Sequence, residues 1–202
     1  MKKIGVFGGT FNPIHYEHLV LAEHVRDISG LDRVILLPAN ISPFKGNEKM
    51  PSGEERVNMA RLAVGEYNGI AVSDFEVKRG GFSYTYDLLE LLAAEFDDVD
   101  KLYFIAGADS VLEMEKWRDS EKMLSKYGII AGTRPGFDNS RLMDFAGYLK
   151  KKYGTDIEVD EVPLLDISST DIRERCASGR SVKYLLPDAV IDYIAEKGFY
   201  HG

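Results

Sequence analysis

Six short apolar runs recur along the chain, at residues 4–7, 34–37, 70–72, 102–106, 128–131 and 157–159. They are continuous rather than alternating and only a few residues long, the pattern of strands buried on both faces. Between them apolar positions fall at helical spacing, as in Leu21-Val25-Ile28, Val57-Ala60-Leu62-Val64 and Leu88-Leu89-Leu91-Leu92. Strand and helix therefore alternate. Parallel strands need crossover connections of this length, so the pattern predicts an α/β, Rossmann-like doubly wound parallel sheet with helices on both faces. Ligands of such sheets bind at the carboxyl ends of the strands. From Ser168 onward helical spacing continues without a strand, over 168–177 and 187–196, which predicts a helical C-terminal appendage on about 168–202.

No repeat, low-complexity tract or Pro/Ser-rich linker divides residues 1–202, so a single domain is expected. The longest breaker-rich stretch, 38–52, holds Pro38, Pro43, Gly46 and Pro51, and a loop of that length is more often functional than idle. With 25 basic and 33 acidic side chains the formal net charge is −8, so no general attraction to nucleic acid or anionic membrane is expected. Any polyanion must be held by local groups. The one cysteine, Cys176, cannot form an internal disulfide, and no run approaches the ~18 apolar residues of a membrane span. The start, Met1-Lys2-Lys3 and then Ile4-Gly5-Val6-Phe7-Gly8-Gly9, is too glycine-broken for a secretory leader, and a cytoplasmic location is expected.

The densest chemistry follows the first strand, in Gly8-Gly9-Thr10-Phe11-Asn12-Pro13-Ile14-His15-Tyr16-Glu17-His18. Two glycines let the backbone approach a bulky anion and present N–H groups to it. The helix expected to begin near His18 adds its positive dipole end. His15 and His18, three positions apart, can point the same way, donate to phosphate oxygens, and become more cationic when a polyanion arrives. A Gly-Gly turn by itself is also an ordinary tight connection, and paired histidines can be half of a metal site. The remaining histidines, His24 and His201, show no ligand-like pattern, so no metal site is expected in the chain. Neither the dinucleotide fingerprint G-x-G-x-x-G nor the Walker loop is present.

A second signal lies far downstream in Ile167-Ser168-Ser169-Thr170-Asp171-Ile172-Arg173. Ser168 or Ser169 can cap the following helix, which is a sufficient structural reason for either. Arg173, about a turn later, adds a guanidinium to the hydroxyls and helix-start amides, and the set suits a phosphate group. Two anion-ready helix starts in one α/β chain suit a triphosphate.

The pair GGTFNPIHYEH and ISSTDIR resembles the nucleotidyltransferase superfamily marked by HxGH and ISSTxIR, and more narrowly the bacterial nicotinate-nucleotide adenylyltransferases. Further matches are SPFK at 42–45, ERVNMARLAV at 55–64, FEVKRGGFSYTYDLLELL at 75–92, FIAGADSVLEMEKW at 104–117 and SVKYLLPDAVIDYIAEKGFY at 181–200. Two departures stand out. Glu17 occupies the glycine position of HxGH, and Phe44 replaces the histidine of the family's PPHK while Lys45 is kept.

The resemblance implies transfer of AMP from ATP to nicotinate mononucleotide, with Mg2+ arriving on ATP and no nucleic acid or membrane partner. A homo-oligomer is compatible with it. His15, His18, Lys45 and Arg173 are the implied catalytic residues. The implied ATP site adds Gly8, Gly9, Thr10, Phe11, Gly107, Asp109, Ile167, Ser168, Ser169 and Thr170. The implied acceptor site holds Asn12, Lys45, Ser83, Tyr84, Thr85, Trp117 and Arg134. Several have structural alternatives: Ser83 and Asp109 as helix N-caps, and Trp117, the only tryptophan, as core. Rival readings are a phosphopantetheine adenylyltransferase, a cytidylyltransferase, a nucleotide-binding regulator without turnover, and an NAD-dependent oxidoreductase. The last lacks its glycine fingerprint.

Overall fold

The computed structural model describes residues 2–40, 50–81, 84–96, 99–133, 139–163 and 165–201. In chain order its first half holds β1 (Lys3–Gly9), α1 (Tyr16–Ile28), β2 (Arg33–Pro38), α2 (Gly53–Val64), β3 (Ile70–Val72), α3 (Phe75–Arg79), α4 (Thr85–Glu95) and β4 (Lys101–Gly107). The second half holds α5 (Ala108–Leu112), a 3-10 turn (Met114–Lys116), α6 (Ser120–Lys126), β5 (Gly128–Thr133), α7 (Ser140–Tyr153), β6 (Ile157–Glu161), α8 (Ser169–Ala177) and α9 (Asp188–Lys197). All six predicted strands are present, each within a few residues of its apolar run.

The strands form one sheet of order β3-β2-β1-β4-β5-β6. The pairs β1–β4, β4–β5 and β5–β6 are parallel, with Val6 opposite Phe104 and Phe104 opposite Ile129. This is the doubly wound order, in which the direction of strand addition reverses at β1 and β4. The helices that the sequence pattern leaves unread have physical reasons to be faint. α3, α5 and α6 span 5, 5 and 7 residues, too short to display a helical period. α7 is the exception: it spans 14 residues, buries Leu142, Ala146 and Leu149 along one stripe and carries Lys150, Lys151 and Lys152 in its last turn, a helical period that the sequence does carry.

The chain divides into two compact units. The first takes residues 1–7, 21–35 and 83–164. Its core gathers Ile4, Val6, Val25, Leu92, Ile105, Met114 and Ile129, all at most 2% exposed. The second takes residues 8–20, 36–82 and 165–202. There Phe11, Ile14, Leu36, Met59, Leu186 and Val190 are similarly buried. In this unit α2 begins in a reciprocal capping box: the Ser52 hydroxyl accepts from the Glu55 N–H at 3.2 Å while the Glu55 carboxylate accepts from the Ser52 N–H at 2.6 Å.

Candidate active site

The second unit holds both phosphate motifs. β1 ends at Gly9, whose carbonyl accepts from the Ala39 N–H at 2.9 Å. A Cβ on Gly9 would lie 3.0 Å from the Phe11 ring, so a side chain there would fit only if that ring gave way by a few tenths of an ångström. Phe11 itself has a left-handed φ of 46°, is buried, and sets its ring edge-on to His18 at 5.0 Å. That is backbone strain held where an anion site is expected. The helix then starts at Tyr16, two residues before the expected His18, so His18 lies in the first turn of α1.

His15 and His18 do point the same way. Their rings stack at 3.7 Å between centroids and 29° between planes. The His15 backbone N–H donates to His18 Nδ1 at 3.3 Å, which requires a lone pair on that nitrogen. Neutral His18 therefore carries its proton on Nε2. Burial lowers the His15 pKa to about 4, and burial with the neighbouring His15 lowers His18 to about 3. His18 is densely surrounded although part of its surface stays accessible. Without a ligand both imidazoles are neutral, hydrogen-bond donors rather than cations. His15 Nδ1 is buried and has no hydrogen-bond partner among the described residues.

The downstream motif sits directly on this turn. Ser169 Oγ donates to the Pro13 carbonyl at 2.9 Å across 156 positions, and Arg173 Nη1 donates to the Asn12 carbonyl at 2.9 Å across 161. Arg173 Nη2 also donates to Thr170 Oγ1 at 3.2 Å. Ser168 is the N-cap, its hydroxyl accepting from the Asp171 N–H at 3.1 Å, and Ser169 opens α8. Thus Ser168 and Ser169 spend their hydroxyls on structure, while Thr170 is exposed and Ile167 and Arg173 partly so. Asn12 is buried, with Oδ1 taken by the Tyr200 hydroxyl at 2.6 Å. Burial pushes the Tyr200 phenol upward, so it stays a donor.

Two supports were not foreseen from the sequence. Arg56 is wholly buried and donates to three backbone carbonyls: Thr10 at 2.7 Å, Asn40 at 2.9 Å and Pro51 at 3.2 Å. Those carbonyls belong to the glycine turn and to both flanks of the 41–49 stretch. Glu76, buried nearby, accepts from the Asn40 N–H at 3.4 Å, and burial raises its carboxyl pKa. A signal for Arg56 existed: it shares a helix with buried Val57, Met59 and Ala60, an arginine on an apolar face. Nothing in the sequence marks Tyr200.

Of the expected acceptor residues, Asn12 belongs to the second unit and Tyr84, Thr85 and Trp117 to the first, which also holds Gly107 and Asp109 of the expected ATP site. β4 ends at Gly107, which is the N-cap of α5, so the N-cap is not Asp109. Asp109 lies exposed in the first turn of α5. Likewise the N-cap of α4 is Tyr84, which supplies no side-chain capping bond to the turn that Thr85 opens. Trp117 is partly exposed rather than core, with its ring edge-on to Phe104 at 5.9 Å and 81°. The Arg118 guanidinium lies 4.4 Å from the centre of the Tyr84 ring, so the start of α4 and the Trp117 turn are neighbours. Lys45, Ser83 and Arg134 lie outside the described residues.

The cytidylyltransferase-like family model matches residues 6–175. A nicotinate-nucleotide adenylyltransferase relative from Clostridium botulinum (strain Alaska E43) is 38% identical over 200 residues, 99% of this chain and 98% of its own. One from a Thermoanaerobacter species (strain X514) is 42% identical over 98% of this chain and 94% of its own. Among solved structures, the Plasmodium falciparum nicotinic acid mononucleotide adenylyltransferase complexed with NaAD superposes with a TM-score of 0.78. It is 21% identical and covers 99% of this chain and 98% of its own, a likeness of fold. With both phosphate motifs joined and relatives matched end to end, this chain belongs to the nicotinate-nucleotide adenylyltransferases of the cytidylyltransferase-like family.

Proposed function

We propose that the chain transfers the adenylyl group of ATP to the phosphate of nicotinate mononucleotide, giving nicotinate adenine dinucleotide and pyrophosphate in NAD biosynthesis. A phosphate oxygen of the mononucleotide attacks the α-phosphorus. The new P–O bond forms as the bond to the bridging oxygen breaks, and pyrophosphate leaves with that electron pair. The nucleophile is already anionic at neutral pH, because a phosphate monoester has a second pKa of about 6. No general base is needed; the work is positioning and electrostatics. ATP enters as its magnesium complex, so the metal is part of the substrate.

The observation that carries this reading is the junction of the two motifs through Ser169 to Pro13 and Arg173 to Asn12. On it, His18 Nε2–H donates toward the α-phosphate and His15 backs it. Thr170, the first-turn amides of α8 and the unused N–H groups of Arg173 hold the β- and γ-phosphates. Gly8, Gly9 and Thr10 supply backbone amides, and Lys45 neutralises charge near the nucleophile. Gly107 and Asp109 take the ribose of ATP. Thr85 and the α4 amides receive the nicotinate carboxylate, with Ser83 and Tyr84 beside them. Trp117 lies on the pyridine ring, and Arg134 faces the nucleotide.

Incubation of the protein with ATP and a panel of acceptors, with products resolved by chromatography, tests the reading. Nicotinate mononucleotide should be consumed fastest, nicotinamide mononucleotide more slowly, and phosphopantetheine not at all. Turnover of phosphopantetheine and of neither mononucleotide would overturn it.

A further inference from the structure

The turn that presents Trp117 is fastened to α7 through one carboxylate. Glu115 Oε1 accepts from three donors of that helix: Tyr148 Oη at 3.1 Å, Lys152 Nζ at 2.8 Å and Tyr153 Oη at 2.8 Å. The main chain of the same turn is closed on itself. The Glu115 carbonyl accepts from Ser120 Oγ at 3.0 Å, the Trp117 N–H donates to the Met114 carbonyl at 3.0 Å, and the Ser120 N–H donates to the Trp117 carbonyl at 3.3 Å. Met114 is wholly buried, so the turn is anchored below by packing and at its side by Glu115. The Trp117 ring is left with an edge contact to Phe104 and a partly open surface.

A lone exposed lysine–glutamate pair adds little to stability and fixes no direction. Three donors converging on one oxygen, two of them hydroxyls on aromatic stems, do fix direction. We propose that Glu115 is a positioning residue, which together with Tyr153 and Lys152 presets the Trp117 turn and so the wall against which the pyridine ring stacks. This rests on the reading above that Trp117 meets that ring. A ring held in place before binding loses less conformational freedom when the ligand arrives, so the effect falls on acceptor affinity rather than on the chemical step.

Trp117 is the only tryptophan beside eleven tyrosines, so emission excited at the red edge of the indole band, where tyrosine does not absorb, reports on this ring alone. Glu115→Gln and Tyr153→Phe should raise KM for nicotinate mononucleotide by roughly three- to tenfold. KM for ATP should stay unchanged and kcat should change little. In the same ligand-free variants, Trp117 emission anisotropy should fall and acrylamide quenching should rise, with far-UV circular dichroism retained. If Glu115→Gln fails to fold, Tyr153→Phe, which removes a single hydroxyl, carries the test. Nicotinate mononucleotide that quenches wild-type Trp117 emission, alongside variants with unchanged anisotropy and acceptor KM, would overturn the positioning role. So would equal rises in both KM values accompanied by lost melting temperature, the mark of a merely structural network. If the mononucleotide leaves Trp117 emission untouched and Trp117→Ala keeps wild-type acceptor KM, the acceptor reading itself falls and the positioning role with it.

Discussion

At the scale of single residues the site turns on how two imidazoles are treated by burial. An exposed histidine pair at the head of a helix would titrate near neutrality, yet desolvation holds these two at about 4 and about 3. Without a ligand both are neutral donors, and the bond from the His15 N–H decides that His18 offers Nε2–H, the form in which the proposed reading has it face the triphosphate. His18→Ala should therefore lower kcat by about 10²–10³, the cost of one preorganised donor, while the fold seen by circular dichroism persists. Steady-state kinetics of the variant checks this. Burial also links the pair to stability. His15 binds its proton in the folded chain only near pH 4, but near 6.5 once unfolded. Between those values the unfolded chain binds more protons, so stability is lost as pH falls from 6.5 toward 4. For the buried His15 that loss reaches on the order of 3 kcal/mol below pH 4. Denaturant melts from pH 7 to 4 should show a shallower decline for His15→Gln than for the wild type. The histidines as candidates were legible in the sequence; their neutrality was not, because desolvation depends on what packs around them.

At the scale of elements, α2 does more than cover the sheet. Its capping box fixes where it begins, which is a local matter written in Ser52 and Glu55. That start places Arg56 in the first turn, aimed at the carbonyls of Thr10, Asn40 and Pro51. Arg56→Met keeps much of the side-chain volume but strands three carbonyls, each costing about 1–3 kcal/mol if left unsatisfied. The expected outcome is a loss of about 3 kcal/mol or more in chemical denaturation, with a raised KM for ATP because the Thr10 turn loosens. α8 shows the same division. Its N-cap was readable as Ser168 or Ser169, and the structure selects Ser168 because its hydroxyl reaches the Asp171 N–H. Ser169 is thereby released to grip Pro13. For α5 the capping alternative at Asp109 gives way to Gly107, and α4 has Tyr84 as its N-cap, neither making a side-chain capping bond.

At the scale of the whole molecule, the strands and their class were evident from the apolar runs, because burial of a strand on both faces leaves an uninterrupted local pattern. The order β3-β2-β1-β4-β5-β6 was not written in any one run, since pairing joins segments far apart in sequence. A net charge of −8 on a nicotinate-nucleotide adenylyltransferase shows why local donors matter: the overall charge is unfavourable to anionic substrates, so the proposed reading has the stacked histidines, helix starts and Arg173 act at short range. Local order along the chain was thus enough to specify the strands, the glycine turn, the capping serines and the two anion-ready motifs, because each depends on neighbours within a few positions. Folding alone brought Ser169 onto Pro13 across 156 positions, Tyr200 onto Asn12 across 188, and Tyr153 onto Glu115 across 38. Such contacts follow the path of the chain in space, and the burial they create sets the protonation of the groups between them.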